Sequence, residues 1–88
     1  MKITISPRAE KELKKLSKID QIVIAKKIRF LGTSEATGEK KLTGFQNIFR
    51  IRVGNYRIVY KKTVSDVFIV LIGHRKDIYN SLKQLFAK

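Results

Sequence analysis

The residues of this sequence that can take part in chemistry are mostly arginines, and three of them lie close together. Arg50, Arg52 and Arg57 fall within Phe49 to Tyr60, where apolar and polar residues alternate in the pattern of two short strands. Gly54-Asn55 separates the two runs, and both residue types tolerate the positive φ of a hairpin turn. Such a hairpin can place the three guanidinium groups on one face of a sheet. Because like charges on neighbouring strands repel each other, this cluster predicts a surface that binds an anion.

A second group of chemically capable residues, His74, Arg75 and Tyr79, follows the apolar run Val67 to Ile72. Together with the arginines it suits cleavage of an RNA phosphodiester by the adjacent 2′-hydroxyl, with the 5′-oxygen as leaving group. That reaction needs stabilisation of added negative charge, a proton acceptor and a proton donor. Arginine binds phosphate through two parallel hydrogen bonds but keeps its own proton. Histidine exchanges a proton near neutral pH, and tyrosine can exchange one or stack on a base.

Each of these residues also has a purely structural interpretation. The structural roles are a solvated sheet face for Arg50 and Arg52, an ion pair for Arg57, a turn for His74 and core packing for Tyr79. The catalytic interpretation requires the hairpin and the later group to be adjacent in the fold.

The composition argues against several other kinds of site. The sequence has no cysteine and one histidine, which disfavours thiolate-ligated and His-ligated metal sites. Its seven acidic residues are scattered, and no glycine-rich phosphate loop precedes a helix. We therefore expect a reaction that uses neither a metal nor another cofactor.

The charge of the chain is its most unusual property. Twenty lysines and arginines against seven acids give a net charge of +13. Such an excess favours polyanions by counterion release and acidic proteins by steering. It does not by itself distinguish RNA, DNA, ribosome, membrane surface or an acidic inhibitor. The candidate RNA-binding lysines are Lys40, Lys41, Lys61 and Lys76, although the first two are also consistent with a solvated turn.

The length and apolar content predict one soluble domain. The 88 residues, 43% of them hydrophobic, suit a single globular unit over 1–88. The longest apolar run is too short to span a bilayer. We expect a cytosolic protein with no membrane partner.

The N-terminal part of the chain predicts a strand and two helices. Alternation predicts a strand over Lys2 to Ser6, and Ser6-Pro7 is a typical helix start. For the second helix we expect Asp20 as the N-cap, Ile19 as the preceding staple residue and Gly32 after its C-terminal end. The predicted contacts are core stripes of Ala9, Leu13 and Leu16 and of Ile24, Ile28 and Leu31, an i,i+4 ion pair of Glu10 with Lys14, and a second edge of Val23 and Phe30 packed on the first helix or open to a partner.

The C-terminal part predicts a loop, three strands and a helix. Thr33 to Gln46 is polar and contains two glycines, which is typical of a loop. The hairpin and the apolar run then form an antiparallel three-stranded meander. A short C-terminal helix follows from Ile78, with Leu82, Leu85 and Phe86 at helical spacing. The predicted class is an α+β two-layer domain with the helix pair on one face and the other face at least partly open.

Three stretches of the sequence resemble the RelE/ParE toxin superfamily of bacterial and archaeal type II toxin–antitoxin systems. They are Lys41-Leu42-Thr43-Gly44, Phe49 to Tyr60 and Gly73 to Tyr79. The Gly-His-Arg-x-x-x-Tyr pattern of the last stretch resembles the RelE branch, whose members cleave mRNA in the ribosomal A site. The resemblance implies a RelE-like fold and this endoribonuclease activity.

The resemblance also implies roles for individual residues. Arg57 matches the phosphate-binding arginine of the family, Arg75 the arginine near the leaving group and Tyr79 the C-terminal tyrosine. Arg50 and Arg52 stand where some relatives carry lysine, which leaves them as charge stabilisers rather than bases. The implied partners are the ribosome, mRNA and an acidic, partly disordered antitoxin that covers the active surface, with DNA contacted only through the antitoxin.

Two other functions fit the same residues. The ParE branch shares the fold but poisons DNA gyrase without cutting RNA. A basic nucleic-acid-binding domain without catalysis would show a steep salt dependence of binding and no cut product.

Overall fold

The computed structural model describes residues 2–31, 39–42 and 44–86, which form a five-stranded sheet and three helices. In chain order the elements are β1 (Lys2–Ile5), α1 (Pro7–Lys14), α2 (Lys18–Leu31), β2 (Lys40–Lys41), β3 (Ile48–Val53), β4 (Tyr56–Lys62), β5 (Asp66–His74) and α3 (Ile78–Phe86). The strand order is β1-β5-β4-β3-β2, and β1 is parallel to β5 while the other neighbours are antiparallel. The predicted α+β class, the meander and the C-terminal helix are confirmed. None of the described helices is long and apolar enough to cross a bilayer.

The two faces of the sheet differ in what covers them. One face, which we call the helical face, packs Ile51 and Ile58 against Ile24 and Ile28 of α2 in the main core. The opposite face carries the arginines of β3 and β4 and is called the basic face. A smaller apolar cluster joins α3 to this face through Ile48, Val59, Val70, Leu71, Ile78 and Leu82. Helix α3 therefore covers only part of the basic face.

Ser6 ties the first helix to β5, an interior strand of the sheet. Its Oγ accepts a hydrogen bond from Ala9 N (3.0 Å) and donates one to Val70 O (2.9 Å), which confirms the predicted N-cap. Glu12 on the same helix accepts a hydrogen bond from Ile72 N at 3.1 Å. Because both contacts lie on β5, α1 fixes the strand that ends at His74.

Two details of the helix pair confirm the sequence patterns. Glu10 Oε1 lies 3.1 Å from Lys14 Nζ. The described members of both predicted stripes contribute to the main core, with Ala9, Ile24, Ile28 and Leu31 buried and Leu13 and Leu16 packed against them.

The predicted start of the second helix was wrong. Helix α2 begins at Lys18, and Asp20 lies in its first turn. Ser17 takes the capping position because its Oγ accepts from Asp20 N (3.2 Å) and its carbonyl oxygen accepts from Gln21 N (2.9 Å). Ile19 is 75% exposed, so it makes no hydrophobic staple. Gly32 lies outside the described residues.

The second apolar edge of α2 does not pack on α1 as predicted. Val23 is 48% exposed and lines a surface depression with Phe30 and with Arg52 and Val53 of β3. Because the stripe that includes Ile24 faces the core, the neighbouring Val23 turns towards the end of β3.

The interval predicted as one loop contains an edge strand. In β2, Lys40 pairs with Arg50 and Lys41 with Phe49. This pairing satisfies backbone groups at the edge of β3, and a short edge strand made of lysines discourages pairing with another chain. Residues 32–38 and 43, and the side chains of Leu85 and Phe86, lie outside the described part of the chain.

A buried tyrosine anchors the approach to β2. Tyr60 is fully buried, and its hydroxyl donates to Glu39 Oε1, which also lies 3.3 Å from Lys62 Nζ. Burial, and then the Glu39 carboxylate, raise the pKa of Tyr60 above its usual value of 10.0. The folded protein therefore favours the protonated phenol more strongly than the unfolded chain does.

We predict that Tyr60 makes the protein lose stability in alkali. Its contribution is complete below the unfolded pKa of 10.0 and falls as the pH rises above it, by up to about 1.4 kcal/mol per pH unit. Urea unfolding of the wild type and of Tyr60→Phe, from about pH 8 to about pH 11, measures this loss. The other tyrosines titrate in both proteins. The free energy of unfolding should therefore fall more steeply with rising pH in the wild type than in Tyr60→Phe. Parallel curves would contradict the assignment.

Candidate active site on the basic face

Three arginines lie together on the basic face, as the alternation predicted. Arg52 pairs directly with Arg57 across β3 and β4, and Arg50 pairs with Val59 two residues along. Their neighbours Ile51 and Ile58 point into the main core on the other side. The turn between the strands has Gly54 at φ 60°, which confirms the predicted positive φ at the glycine.

Arg57 is the member of this cluster with unsatisfied hydrogen-bonding groups. Its Nε and Nη1 are buried and have no hydrogen-bond partner among the described residues. No carboxylate in that part of the chain forms an ion pair with it, so the structural ion-pair interpretation finds no partner there. A buried donor left unpaired costs roughly 1–3 kcal/mol, and more when it is charged. An anion that accepts from both nitrogens would remove this cost.

Gly73 allows α3 to approach the strand beside Arg57. Gly73 is the cross-strand partner of Arg57 on β5. A Cβ at this position would lie 3.1 Å from Ile78 Cδ1, which is closer than ordinary van der Waals contact. The missing side chain therefore lets the first residue of α3 rest on β5 next to the arginine.

Helix α3 brings Tyr79 to the edge of the arginine cluster. The Tyr79 ring is 43% exposed, so it is not the core residue that its structural interpretation required. Its centroid lies 5.9 Å from Arg50 Cζ, within the range of a cation–π contact. The site thus combines arginines, a residue type suited to binding phosphate, with an aromatic surface.

The turn after β5 joins the hairpin, as the catalytic interpretation required. Arg75 N donates to Asn55 O at 2.8 Å, so the tip of the hairpin and the segment that carries Arg75 and Tyr79 are in direct contact. The Arg75 side chain is exposed.

His74 lies on the opposite side of the sheet from the arginines. Its cross-strand partner is Tyr56, and the two rings meet edge to face with centroids 5.9 Å apart. Both line a cavity of about 360 Å³ with Asp20 and Ile24 of α2. The expected grouping of His74 with the arginines is therefore not found, because Gly73 faces the basic side and the next residue faces the helices.

The same cavity holds a tyrosine with an altered titration. Burial raises the pKa of Tyr56, and the Asp20 carboxylate raises it further through its charge and a hydrogen bond. These groups form a polar cluster on the helical face, separate from the basic site.

The four candidate lysines are divided between the faces. Lys40 is paired with Arg50 and Lys61 with Ile48 and Phe68, which places them on the basic face. Lys41 is paired with Phe49 and so faces the helical side. Lys76 is exposed in the turn after β5. Their contact with RNA stays a prediction.

Two contributors to the basic face were missed in the sequence. Gly73 has no side chain, and the only feature of the sequence that could indicate its role is its position directly after an apolar strand. Phe68 is 40% exposed and lies across from Lys61, although the apolar run around it predicted burial on both faces.

The chain is similar to known toxins in family, sequence and fold. The model of a family described as the ParE toxin of type II toxin–antitoxin systems (parDE) matches residues 3–79. This chain belongs to that family. Toxin RelE3 of Methanocaldococcus jannaschii is 44% identical over 41 residues, which cover 47% of each protein, so the match spans about half the length of that curated relative.

Solved RelE structures share the fold of this toxin-family chain. The RelB–RelE antitoxin–toxin complex of Methanococcus jannaschii has 26% identity and a TM-score of 0.67, covering 89% of this chain and 96% of the other. The isolated Escherichia coli RelE toxin has 25% identity and a TM-score of 0.69, covering 97% and 98%. These likenesses confirm the superfamily and its RelE-like branch.

We predict that Arg57→Met raises the free energy of unfolding by about 1–3 kcal/mol. The substitution removes two buried, unpaired donors and the charge that faces Arg52, while the methionine keeps most of the apolar stem. Chemical denaturation measures the change.

Arg52→Met is the matched control, since Arg52 is exposed and its Nε donates to the backbone oxygen of Gly54 at 3.3 Å. Its effect should lie within about 0.5 kcal/mol. Destabilisation by Arg57→Met would show that the guanidinium has a protein partner.

Proposed function

We propose that this type II toxin is a ribosome-dependent endoribonuclease that cleaves mRNA in the ribosomal A site and so inhibits translation. The observation that carries the proposal is the pair of buried, unpartnered nitrogens of Arg57 in a cluster of three arginines beside Tyr79. A phosphodiester supplies the missing acceptors, and a neighbouring base supplies a flat surface for the tyrosine.

The arginines suit the charge changes of the proposed reaction. The 2′-oxygen attacks phosphorus and loses its proton to an acceptor, the bond from phosphorus to the 5′-oxygen breaks, and the 5′-oxygen receives a proton. Negative charge grows on the non-bridging oxygens in the transition state. Arg57 lies between Arg52 and Gly73 in the sheet, and it is suited to stabilise this charge because two of its donors are buried and unpaired. Arg50 and Arg52 add positive charge to the same face.

The proton transfers need a side chain other than arginine, since a guanidinium stays protonated. Tyr79 lies beside Arg50 and has a hydroxyl that can donate or accept. The proposal gives Tyr79 either this role or stacking on a base. Arg75, exposed in the adjoining turn, would stabilise the leaving oxygen. His74 has no direct part in this scheme, because its ring lies across the sheet from Arg57.

We also propose an acidic antitoxin as partner in the cytosol. The net charge of +13 favours an acidic chain, and the related RelE of Methanococcus jannaschii was solved with RelB. Ile19, Ile22 and Val23 of α2 are exposed by 75%, 50% and 48%, and apolar residues at this spacing suit contact with a partner helix.

The second candidate function is inhibition of DNA gyrase. It is favoured by one observation, the match of residues 3–79 to the family that carries the ParE description. A gyrase inhibitor of this kind would leave translated mRNA intact, so the two functions give different products.

We predict that Arg57→Met and Tyr79→Ala each lower mRNA cleavage about 100-fold or more. The test expresses each protein in a translating extract and maps the mRNA ends. Since Arg57→Met is expected to be more stable than the wild type, its loss of cleavage could not come from unfolding. Arg29→Met, which changes an exposed arginine of α2, should cleave like the wild type.

Two outcomes would contradict the proposal. Growth arrest with intact mRNA and DNA-damage signalling would favour gyrase, and cleavage of untranslated RNA at the same rate would remove the ribosome from the mechanism.

A further inference from the structure

The turn that carries Arg75 is fixed by hydrogen bonds on both sides of that residue. Arg75 N donates to Asn55 O at 2.8 Å. Lys76 N donates to the imidazole Nδ1 of His74 at 3.2 Å, and Asp77 N donates to the His74 carbonyl oxygen at 2.9 Å. His74 therefore accepts two of these three bonds, one of them through its side chain.

The imidazole is held in place by the helical face. The edge-to-face contact with Tyr56 orients the ring, and Asp20 of α2 lines the same cavity as these two rings. Because Nδ1 accepts from Lys76 N, it carries no proton, and the neutral ring has its proton on Nε2.

We propose that His74 is a positioning residue for Arg75, and that it acts by holding the turn through Nδ1. The turn leads from β5 directly into α3, which starts at Ile78, so its geometry also sets where Tyr79 stands. The test of this inference by mRNA cleavage rests on the proposed endoribonuclease function. A displacement of about 1 Å at a reacting group can cost about 100-fold in rate, which is enough to make a residue on the far face important for cleavage.

Two substitutions of His74 separate positioning from proton transfer. In His74→Asn, the side-chain oxygen lies near the place of Nδ1 and can accept from Lys76 N, but the amide does not exchange protons near neutral pH. In His74→Phe, a ring remains beside Tyr56 but has no acceptor. We expect His74→Asn to cleave mRNA close to the wild-type rate in the translating extract, and His74→Phe to cleave about 10–100-fold more slowly.

Amide hydrogen exchange gives a readout that does not depend on activity. The Lys76 amide should be protected in the wild type and in His74→Asn, and should exchange faster in His74→Phe. The Arg75 Nε–Hε resonance should move only in the phenylalanine variant.

Full cleavage by His74→Phe, or loss of cleavage in a folded His74→Asn, would overturn the inference. If the wild type itself cut no message, the endoribonuclease proposal would fail. The positioning of Arg75 would then be decided by the exchange rate of the Lys76 amide and the chemical shift of the Arg75 Nε–Hε group. If neither changed in His74→Phe, the inference would be overturned.

Discussion

The pairing of β4 with β5 is the constraint on which the site depends. It places Gly73 beside Arg57 and His74 beside Tyr56, with one irregularity between Val59 and Tyr60 where β5 carries an extra residue. That bulge changes which residues of β5 face the helices beyond it. Without it, His74 would lie on the same side as Arg57. The bulge thus separates the histidine from the arginines and leaves a glycine in the space where α3 begins.

Two features of Arg57 disfavour the free protein and suit the proposed binding of a phosphate. Two of its nitrogens are buried on the central strand of the sheet, and Arg52 lies directly opposite as a second positive charge. Neither feature stabilises the protein on its own. Both become favourable when a phosphate lies on this face, because the donors are already oriented and poorly solvated. The strong anchors of the fold, such as Ser6 and Tyr60, lie away from the site.

Patterns of period two predicted the hairpin, its turn and the three arginines on one face, since alternation alone decides those features. They could not predict the face of His74, because the bulge at Val70 lies in an unbroken apolar run that gives no alternation to follow. The cap of α2 was misassigned because serine and aspartate cap equally well, and only the observed hydrogen bonds select Ser17. Strand β2 was missed because two consecutive lysines show no alternation of apolar and polar residues. Their strand conformation depends on backbone pairing with the edge of β3.

The proposed function requires the buried nitrogens of Arg57 to be the donors that bind phosphate. NMR of the arginine Nε–Hε groups tests it directly, with a short RNA whose 2′-hydroxyls are methylated so that attack is blocked. The Arg57 resonance should shift on titration and show through-bond coupling to phosphorus, even if the affinity for free RNA is low. Phosphate binding by Arg57 would be contradicted if RNA shifted the exposed lysine and arginine resonances while the Arg57 resonance stayed unchanged.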